Sequence, residues 1–319
     1  MRRPSFPEGG AFLPAPFAAQ RRKLENRLIE IIEEYGYHEI ATSVFLYADQ
    51  IERVLPSSIF EQSYKLTDRF TGRTILIRPD ITLQVAKLVA TLPDMKFPLK
   101  LSYSGKVFRD QTNHTGKSRE QKQVGAEFFG SNDPSDIFNF IKKIASMLSI
   151  PIKLISIGNG AAIRRIINDL HSGKSEAVKA VASRDKPTLK KILTENDYNL
   201  ISKSLDIYDR STIKNIENLP TLTKPEAKEL RTVFDLLSGK FKNSDIIFDG
   251  ADIGRFFYYD GLTFSFYSKD GKEIASGGEY GTLMKMFGKP MDAIGVAINL
   301  DNLFMTIKNL TISHDLEEI

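Results

Sequence analysis

Three polar side chains of different chemistry are spaced along residues 105–130, GKVFRDQTNHTGKSREQKQVGAEFFG. Arg109 ends an apolar run, and Gln123 and Glu127 lie in a second strand-like run that ends at Gly130. The polar loop between the two runs predicts a hairpin. If the three side chains share a face, the guanidinium can bind a carboxylate or phosphate, and Glu127 can accept a hydrogen bond from an ammonium or imidazole. Such a lining suits a small zwitterion, although charges that only decorate a solvated hairpin would have the same spacing.

The elements that must position this hairpin follow from the hydrophobic pattern. An amphipathic helix is predicted over residues 17–35 and another over 134–149. Strands are predicted at 38–44, 63–67, 73–78, 99–109, 121–130 and 151–157. From residue 161 to about 238 the pattern is helical, with breaks at prolines, and after Phe248 it returns to strands. The sequence therefore predicts a core formed from two separated pieces of chain.

The composition is that of an ordinary globular protein, with 319 residues of which 41% are hydrophobic and 26% charged. The absence of cysteine excludes disulfides, thiolate metal sites and cysteine nucleophiles. The four histidines are scattered without metal-like spacing, so we predict neither a metal nor a cofactor. No apolar run reaches the roughly 18 residues that a membrane span needs, and Pro and Gly interrupt any signal-like segment near the start. These features predict a cytoplasmic protein.

The net charge of +4 raises the question of a nucleic-acid partner. Basic residues outnumber acidic ones over residues 151–245, yet acidic residues are interspersed throughout, and Lys190-Lys191 is the only adjacent lysine pair there. Nucleic-acid binders usually concentrate basic residues on one face or along one helix. A solvated helical surface therefore explains this charge better than an RNA-binding patch.

Residues 105–130 resemble motif 2 of class II aminoacyl-tRNA synthetases, in its histidyl-tRNA synthetase form. Other stretches match that family in the same order along the chain. They are YGYHEIAT at 35–42, IRPDIT at 77–82, YYDGLTF at 258–264, GGEY at 277–280 and AIGVAINLDNL at 293–303. The resemblance implies an α+β fold, a class II synthetase-like core whose mostly antiparallel sheet is flanked by helices. It also implies a division into core residues 1–157, a helical insertion at 158–244, and a second core piece at 245–319.

The chain departs from the synthetases at positions that matter for their reaction. Motif 3 has Asn302 where the family has an arginine that holds ATP phosphates, and an amide cannot supply that cationic fork. The family's Gly-Gly-Arg-Tyr-Asp stretch reads Gly-Gly-Glu-Tyr-Gly at 277–281, and Ser43 replaces a proline of the dimer interface. Arg255 falls one position after the family's arginine, where Gly254 stands. The sequence ends soon after motif 3, so we expect no anticodon-binding domain.

This combination resembles the regulatory subunits of ATP phosphoribosyltransferase, a synthetase-like family that is not itself catalytic. The resemblance implies that the chain associates with a short catalytic subunit, which joins ATP to phosphoribosyl pyrophosphate in the first step of histidine biosynthesis. It further implies activation of that subunit, inhibition by L-histidine as effector, and a homodimer within a larger hetero-oligomer. The alternative that remains open is a ligase, either a histidine-adenylating enzyme or a truncated histidyl-tRNA synthetase.

The resemblance also implies roles for individual residues, none of them catalytic. Asp80, Thr82 and Gln123 match positions that hold the α-amino group of histidine, and Arg109 matches the arginine that meets its carboxyl group or the α-phosphate. Glu127 and one of Tyr258 or Tyr259 match positions that recognise the imidazole ring, although core packing accounts equally well for Tyr258. Further candidates are Arg255, Gly277 and Gly278, the glycines with a β-bulge as the alternative. Arg119 is expected to be a solvent-exposed loop residue.

Overall fold

The structure, a computed structural model, describes residues 9–10, 13–52, 54–55, 57–110, 118–209, 216–253 and 258–311. The chain forms two compact units. The first comprises residues 1–131, 283–291 and 295–319, and the second comprises residues 132–282 and 292–294. Each unit therefore draws on segments that are distant in sequence. The predicted division at 157/158 and 244/245 stays a prediction.

The helices and strands of the described residues have the following bounds. The helices are α1 (Phe17–Glu33), α2 (Ser57–Glu61), α3 (Thr82–Thr91), α4 (Ser135–Met147), α5 (Ala162–Asn168), α6 (Lys174–Ala182), α7 (Lys186–Ile192), α8 (Glu195–Leu205), α9 (Lys224–Lys240), α10 (Gly281–Met286) and α11 (Leu300–Thr311), with a 3-10 turn at Ala48–Gln50. The strands are β1 (His38–Glu39), β2 (Phe45–Tyr47), β3 (Lys65–Thr67), β4 (Thr74–Ile77), β5 (Leu99–Phe108), β6 (Glu120–Phe129), β7 (Ile152–Asn159), β8 (Tyr208–Asp209), β9 (Asp245–Asp249), β10 (Leu262–Ser268), β11 (Glu273–Glu279) and β12 (Ala293–Asn299).

The first unit is organised around the hairpin of β5 and β6. These strands pair antiparallel from Leu99↔Phe129 to Phe108↔Glu120, which confirms the predicted hairpin. β1 pairs parallel with the outer edge of β5, and β6 lies next to β12. A separate antiparallel sheet has the order β2-β4-β3.

Helix α1 covers this hairpin with one apolar face. Leu24, Leu28, Ile31 and Ile32 are buried at helical spacing, as the pattern predicts. The helix ends two residues before the predicted end because Gly36 takes φ +82° and its N–H donates to Glu33 O at 2.8 Å.

The strand predicted over residues 38–44 is interrupted in the structure. β1 covers His38–Glu39, Ile40 N–H still donates to Ser102 O at 2.8 Å, and β2 starts only at Phe45. The carbonyl of Thr42 instead accepts from the guanidinium of Arg78 at 3.2 Å. The Arg78 side chain, rather than a neighbouring strand, therefore satisfies the Thr42 carbonyl.

The second unit contains the predicted helical segment and the later strands. β7 pairs antiparallel with β10 and parallel with β9, while β11 pairs with β10 and β8 with β9. Phe138 of α4 packs edge-on against Phe264 at a centroid distance of 5.2 Å. Helices α5–α8 bury an apolar cluster of their own, to which Ala251 and Ile253 contribute. β8 was not predicted, because two residues are too few to show an alternating pattern.

Candidate functional site

A short polar contact in the first unit joins Thr82 and Glu127. Glu127 lies on β6 with no exposed surface, and the Thr82 hydroxyl at the start of α3 donates to its Oε1 at 2.6 Å. The Thr82 Oγ1 also lies 3.4 Å from the Tyr103 hydroxyl. A Cβ at Gly295 of β12 would overlap Oε2 of Glu127. The structure thus fixes this buried carboxylate between α3 and the backbone of β12.

Asp80 lies just before α3 and is almost fully buried. Its Oδ1 accepts a hydrogen bond from the Leu83 N–H at 2.8 Å, which satisfies one of the unpaired donors at the start of the helix. The resemblance implied that this carboxylate binds the α-amino group of histidine. The structure adds a capping role for one of its two oxygens.

Arg109 follows the end of β5 and is buried. Its Nε donates to Pro79 O at 3.0 Å, so the guanidinium lies over the segment that carries Asp80. Gln123 is buried on β6, opposite Gly105. Arg119 is partly exposed, with its guanidinium 3.5 Å from the carboxylate of Asp110. In the described part of the first unit, one hairpin therefore carries Arg109 after β5 and both Gln123 and Glu127 on β6. Asp80 and Thr82 lie on the neighbouring segment at the start of α3.

Arg78 organises this region, a role that the sequence analysis missed. Its Nε donates to Lys106 O at 2.6 Å and its Nη1 to Thr42 Oγ1 at 3.1 Å. Burial lowers the pKa of this guanidinium, and a Cβ at Gly105 would overlap it. The Arg-Pro-Asp motif is evident in the sequence, but the hydrogen-bond partners of Arg78 come from segments that only the fold brings together.

The first turn of α11 carries Asp301 and Asn302, where the synthetases have motif 3. The carboxylate of Asp301 accepts from Arg21 of α1 at 2.7 Å and from the Lys122 N–H at 2.7 Å. The Asn302 N–H donates to the Asn299 side chain at 3.0 Å. This turn therefore presents an acid that is already paired and a neutral amide.

In the second unit the candidate tyrosines form an aromatic group. Tyr258 is 1% exposed, and its ring centroid lies 5.2 Å from that of Tyr259 and 6.2 Å from that of Tyr280. Tyr259 is partly exposed. Its ring packs so closely on Gly278 that a Cβ there would lie 2.9 Å from Tyr259 Cδ1. Tyr258 is thus enclosed by protein, while Tyr259 retains an accessible side chain.

Gly277 and Gly278 pair regularly with Phe264 and Thr263, so they do not mark a bulge. The register shift of this hairpin lies at Phe266/Tyr267 instead. Arg255 lies outside the described residues. Gly278 is therefore closely packed within the hairpin of β10 and β11.

Glu279, which stands where the family has an arginine, is a partly buried acid with an unusual pKa. Burial raises its pKa to about 8, and the nearby carboxylates of Glu229 and Asp260 add to the effect. Its Oε2 accepts from the Leu262 N–H at 3.3 Å. The sequence showed the substitution, but not the second carboxylate that α9 brings to it.

Arg164 is a second charged group that the sequence analysis missed. Burial lowers the pKa of its guanidinium to about 10, and Asp252 partly offsets that effect. Its Nε donates to Ile253 O at 2.7 Å, and Asp252 accepts from Thr263 Oγ1 at 2.6 Å. An arginine within an amphipathic helix gives no sequence signal of such burial.

Neither a metal site nor a membrane span is found in the part of the chain that the structure describes. No group of three or more His, Asp or Glu side chains there could hold a metal ion. No described helix combines the length and apolar character that crossing a membrane requires.

Comparison with known proteins gives consistent matches over most of the chain. The family model described as histidyl-tRNA synthetase matches residues 9–303. An ATP phosphoribosyltransferase regulatory subunit of Moorella thermoacetica is 30% identical over 94% of this chain and 81% of its own length. A histidine–tRNA ligase of Methanocaldococcus jannaschii is 28% identical over 95% of this chain and 76% of its own length. A crystal structure of an ATP phosphoribosyltransferase regulatory subunit/histidyl-tRNA synthetase from Bacillus halodurans C has a TM-score of 0.78 at 24% identity, covering 97% of this chain and 85% of that one.

Proposed function

This chain belongs to the histidyl-tRNA synthetase family, and we propose that it serves as the regulatory subunit of an ATP phosphoribosyltransferase. In this role it associates with the short catalytic subunit, activates the first step of L-histidine biosynthesis in the cytoplasm, and carries the site at which histidine inhibits. The resemblance to the Moorella regulatory subunit supports the proposal. The predicted α+β, class II synthetase-like fold is confirmed by the family match and the structural likeness.

The first turn of α11 is the observation that carries this proposal. A synthetase needs a cation there to offset the charge of the pyrophosphate that leaves ATP. Here Asn302 is neutral, and the carboxylate of Asp301 is paired with Arg21 at 2.7 Å. The charge on Arg21 is therefore directed to a protein acid rather than to a nucleotide. A non-catalytic role follows more directly from this turn than adenylation does.

The histidine site is proposed to include the buried polar residues of the first unit. A carboxylate such as Glu127 can accept a hydrogen bond from an imidazole N–H, and the Thr82 hydroxyl orients it at 2.6 Å. Arg109 and Asp80 supply the opposite charges that the carboxylate and ammonium of an amino acid require. Tyr258, Tyr259, Gln123, Gly277, Gly278 and Arg255 stay proposed histidine-binding residues by resemblance.

The small sheet of β2, β4 and β3 supports the proposed homodimer. Its register pairs Phe45 with Ile77 and Leu66 with Ile75, so these four side chains lie on one face. Phe45 is 53% exposed and Leu66 47% exposed. An apolar sheet face of this kind favours contact with another protein surface. We assign it to a second copy of the chain within a hetero-oligomer with the catalytic subunit.

An assay of phosphoribosyl-ATP formation tests the proposed role. The short catalytic subunit is assayed alone and with this chain, and L-histidine is then titrated into the mixture. We expect a faster rate with the chain present and inhibition by histidine. Glu127→Gln keeps the acceptor for Thr82 but removes the negative charge, so it should preserve activation and weaken inhibition.

A catalytic rate that does not change at any ratio of the two chains would contradict the regulatory role. Histidine-dependent exchange of pyrophosphate into ATP by the purified chain would instead support the ligase. If Glu127→Gln abolished activation together with inhibition, its thermal unfolding would separate loss of fold from loss of a shared site. A folded variant with that behaviour would contradict the assignment of Glu127 to histidine sensing alone.

A further inference from the structure

A cavity rich in lysine lies in the second unit, away from every residue assigned above. Its volume is about 870 Å³, and it is lined at the ends of α4 and α9 and by the turn after β10. We call it the lysine cavity because five lysines line it. They are Lys142, Lys153, Lys240, Lys242 and Lys269. This volume lies within the range of about 300–1,000 Å³ that is typical of small-molecule sites.

The charge of the lysine cavity is only partly compensated. None of the described residues that line it is acidic. One of the five lysines, Lys153, is paired with a neighbouring acid, its ammonium 3.0 Å from the carboxylate of Asp245. The other neighbouring acid, Asp270, is paired with Lys272 at 2.7 Å. In the described chain, Lys242 and Lys269 make no ion pair. Like charges gathered around one concavity repel each other unless an anion joins them.

Capping of the helix ends does not account for these lysines. The carbonyls at the end of α4 are satisfied by the backbone, because Ile150 N–H donates to Ala145 O at 2.9 Å and Ser149 takes φ +51°. At the end of α9, Phe241 N–H donates to Leu237 O at 2.8 Å. The ammonium of Lys142 lies over the Phe241 ring, 5.4 Å from its centroid.

The Lys240 ammonium donates to the side chain of Asn139 and not to a helix carbonyl. Asp245 offsets Lys153, and the two helix ends contribute roughly −0.5 charge each, so the four other lysines still leave an excess of positive charge. A ligand with several negative charges is therefore the expected complement.

We propose that the lysine cavity binds a small anion that carries two or more phosphate groups. Lysine ammonium groups act as compact point charges that suit the oxygens of a polyphosphate, and the lining holds no arginine. The floor includes Phe241, which is 3% exposed and offers no face for stacking a base. A compact polyphosphate fits these features better than a single-stranded nucleic acid. The site is independent of the proposed regulatory role.

Isothermal titration calorimetry with inorganic tripolyphosphate tests the site, with citrate as a carboxylate of similar charge. We expect saturable binding of one tripolyphosphate per chain, with weaker binding of citrate. The double variant Lys242→Glu/Lys269→Glu should weaken tripolyphosphate binding by about tenfold or more, since it reverses two charges that contact the anion. The matched control Lys190→Glu/Lys228→Glu, which changes the net charge equally on exposed helix positions of the same unit, should change the affinity less than about twofold.

Two further arms make the result decisive. Lys242→Ala/Lys269→Ala removes the charges without reversing them, and thermal unfolding checks that each variant is folded. Equal weakening by both charge-reversal pairs or equal affinity for citrate would each overturn the proposal, as would the absence of any binding to wild type. Tighter binding of a single-stranded RNA would assign the lysines to nucleic acid instead.

Discussion

The hydroxyl of Thr82 and the carboxylate of Glu127 lie 2.6 Å apart, although α3 and β6 are far separated in sequence. Glu127 has no exposed surface, so its charge depends on hydrogen bonds from the protein. Thr82 fixes one of its oxygens, and the glycine at position 295 leaves space for the other. The contact therefore couples the orientation of a candidate histidine-binding acid to the start of a helix.

Thr82→Val tests this coupling, because valine keeps the shape of threonine and removes the donor. We expect a loss of about 1–3 kcal/mol in the free energy of unfolding, since a buried carboxylate oxygen loses a hydrogen bond. Urea denaturation measures that loss, and calorimetry with L-histidine measures binding. Thr82→Ser keeps the hydroxyl and serves as the control. Equal stability of the valine and wild-type proteins would show that the contact contributes little.

Gly295→Ala tests the other side of the same carboxylate. A Cβ at this position overlaps Oε2 of Glu127, and the fully buried acid has little room to move. We expect destabilisation of about 2–4 kcal/mol, which is large for adding one methyl group. The control is Gly239→Ala in α9, where a Cβ meets nothing within 4 Å. That change should stabilise the protein by about 0.5–1 kcal/mol because alanine favours helix. Similar effects of the two substitutions would contradict the close contact.

The sequence predicted what local pattern determines and missed what depends on tertiary contacts. The buried stripe of α1 and the β5–β6 hairpin were predicted from side-chain periodicity, and the structure confirms both. The central position of Arg78 depends on carbonyls at Thr42 and Lys106 that only the fold assembles. The paired carboxylates of Glu279 and Glu229 likewise come from β11 and α9. Family resemblance named residues for the site, but it gave no information on these partners.

The partly buried acid Glu279 predicts a specific dependence of stability on pH. Its pKa is raised from 4.5 to about 8, mainly by burial and also by Glu229 and Asp260. Between these values the folded state keeps a proton that the unfolded chain has lost, so the contribution to stability is full below about pH 4.5 and decreases as the pH rises through 8. Glu279→Gln mimics the protonated acid at every pH. It should stabilise the protein at pH 8 by about 2–4 kcal/mol relative to wild type and have little effect near pH 4.5.

Urea denaturation of both proteins at several pH values from 4.5 to 8.5 measures this difference. Glu229→Gln is the companion variant, because it removes the second largest cause and supplies an amide donor to Glu279. It should shift the loss of stability toward lower pH without abolishing it, since burial remains. A constant difference between wild type and Glu279→Gln across the pH range would show that Glu279 keeps an ordinary pKa in the folded protein.

The apolar face of the small sheet predicts the effect of charge on self-association. Phe45→Lys together with Leu66→Lys places two ammonium groups on the face that we assign to a second copy of the chain. We expect the dissociation constant of the dimer to rise by about 100-fold or more, because buried interface contacts of large apolar residues contribute strongly. Sedimentation velocity over a range of concentrations measures it. Met286→Lys replaces an exposed apolar residue outside this sheet and should leave the dimer intact. A dimer that survives the double substitution would assign the face to another partner.

Tyr259 is the candidate tyrosine with an accessible side chain, and its position depends on Gly278. A Cβ at Gly278 would lie 2.5 Å from Leu262 O and 2.9 Å from Tyr259 Cδ1. The carbonyl belongs to a paired strand and makes the closer contact, so the backbone must shift as well as the tyrosine ring. Gly278→Ala should therefore destabilise the protein by about 1–3 kcal/mol and weaken histidine binding. Tyr259→Phe keeps the ring in place and removes only the hydroxyl, so its effect on affinity isolates a hydrogen bond to the ligand. If Tyr259→Phe binds L-histidine as tightly as wild type while Gly278→Ala does not, the ring shapes the site and the hydroxyl takes no part in recognition.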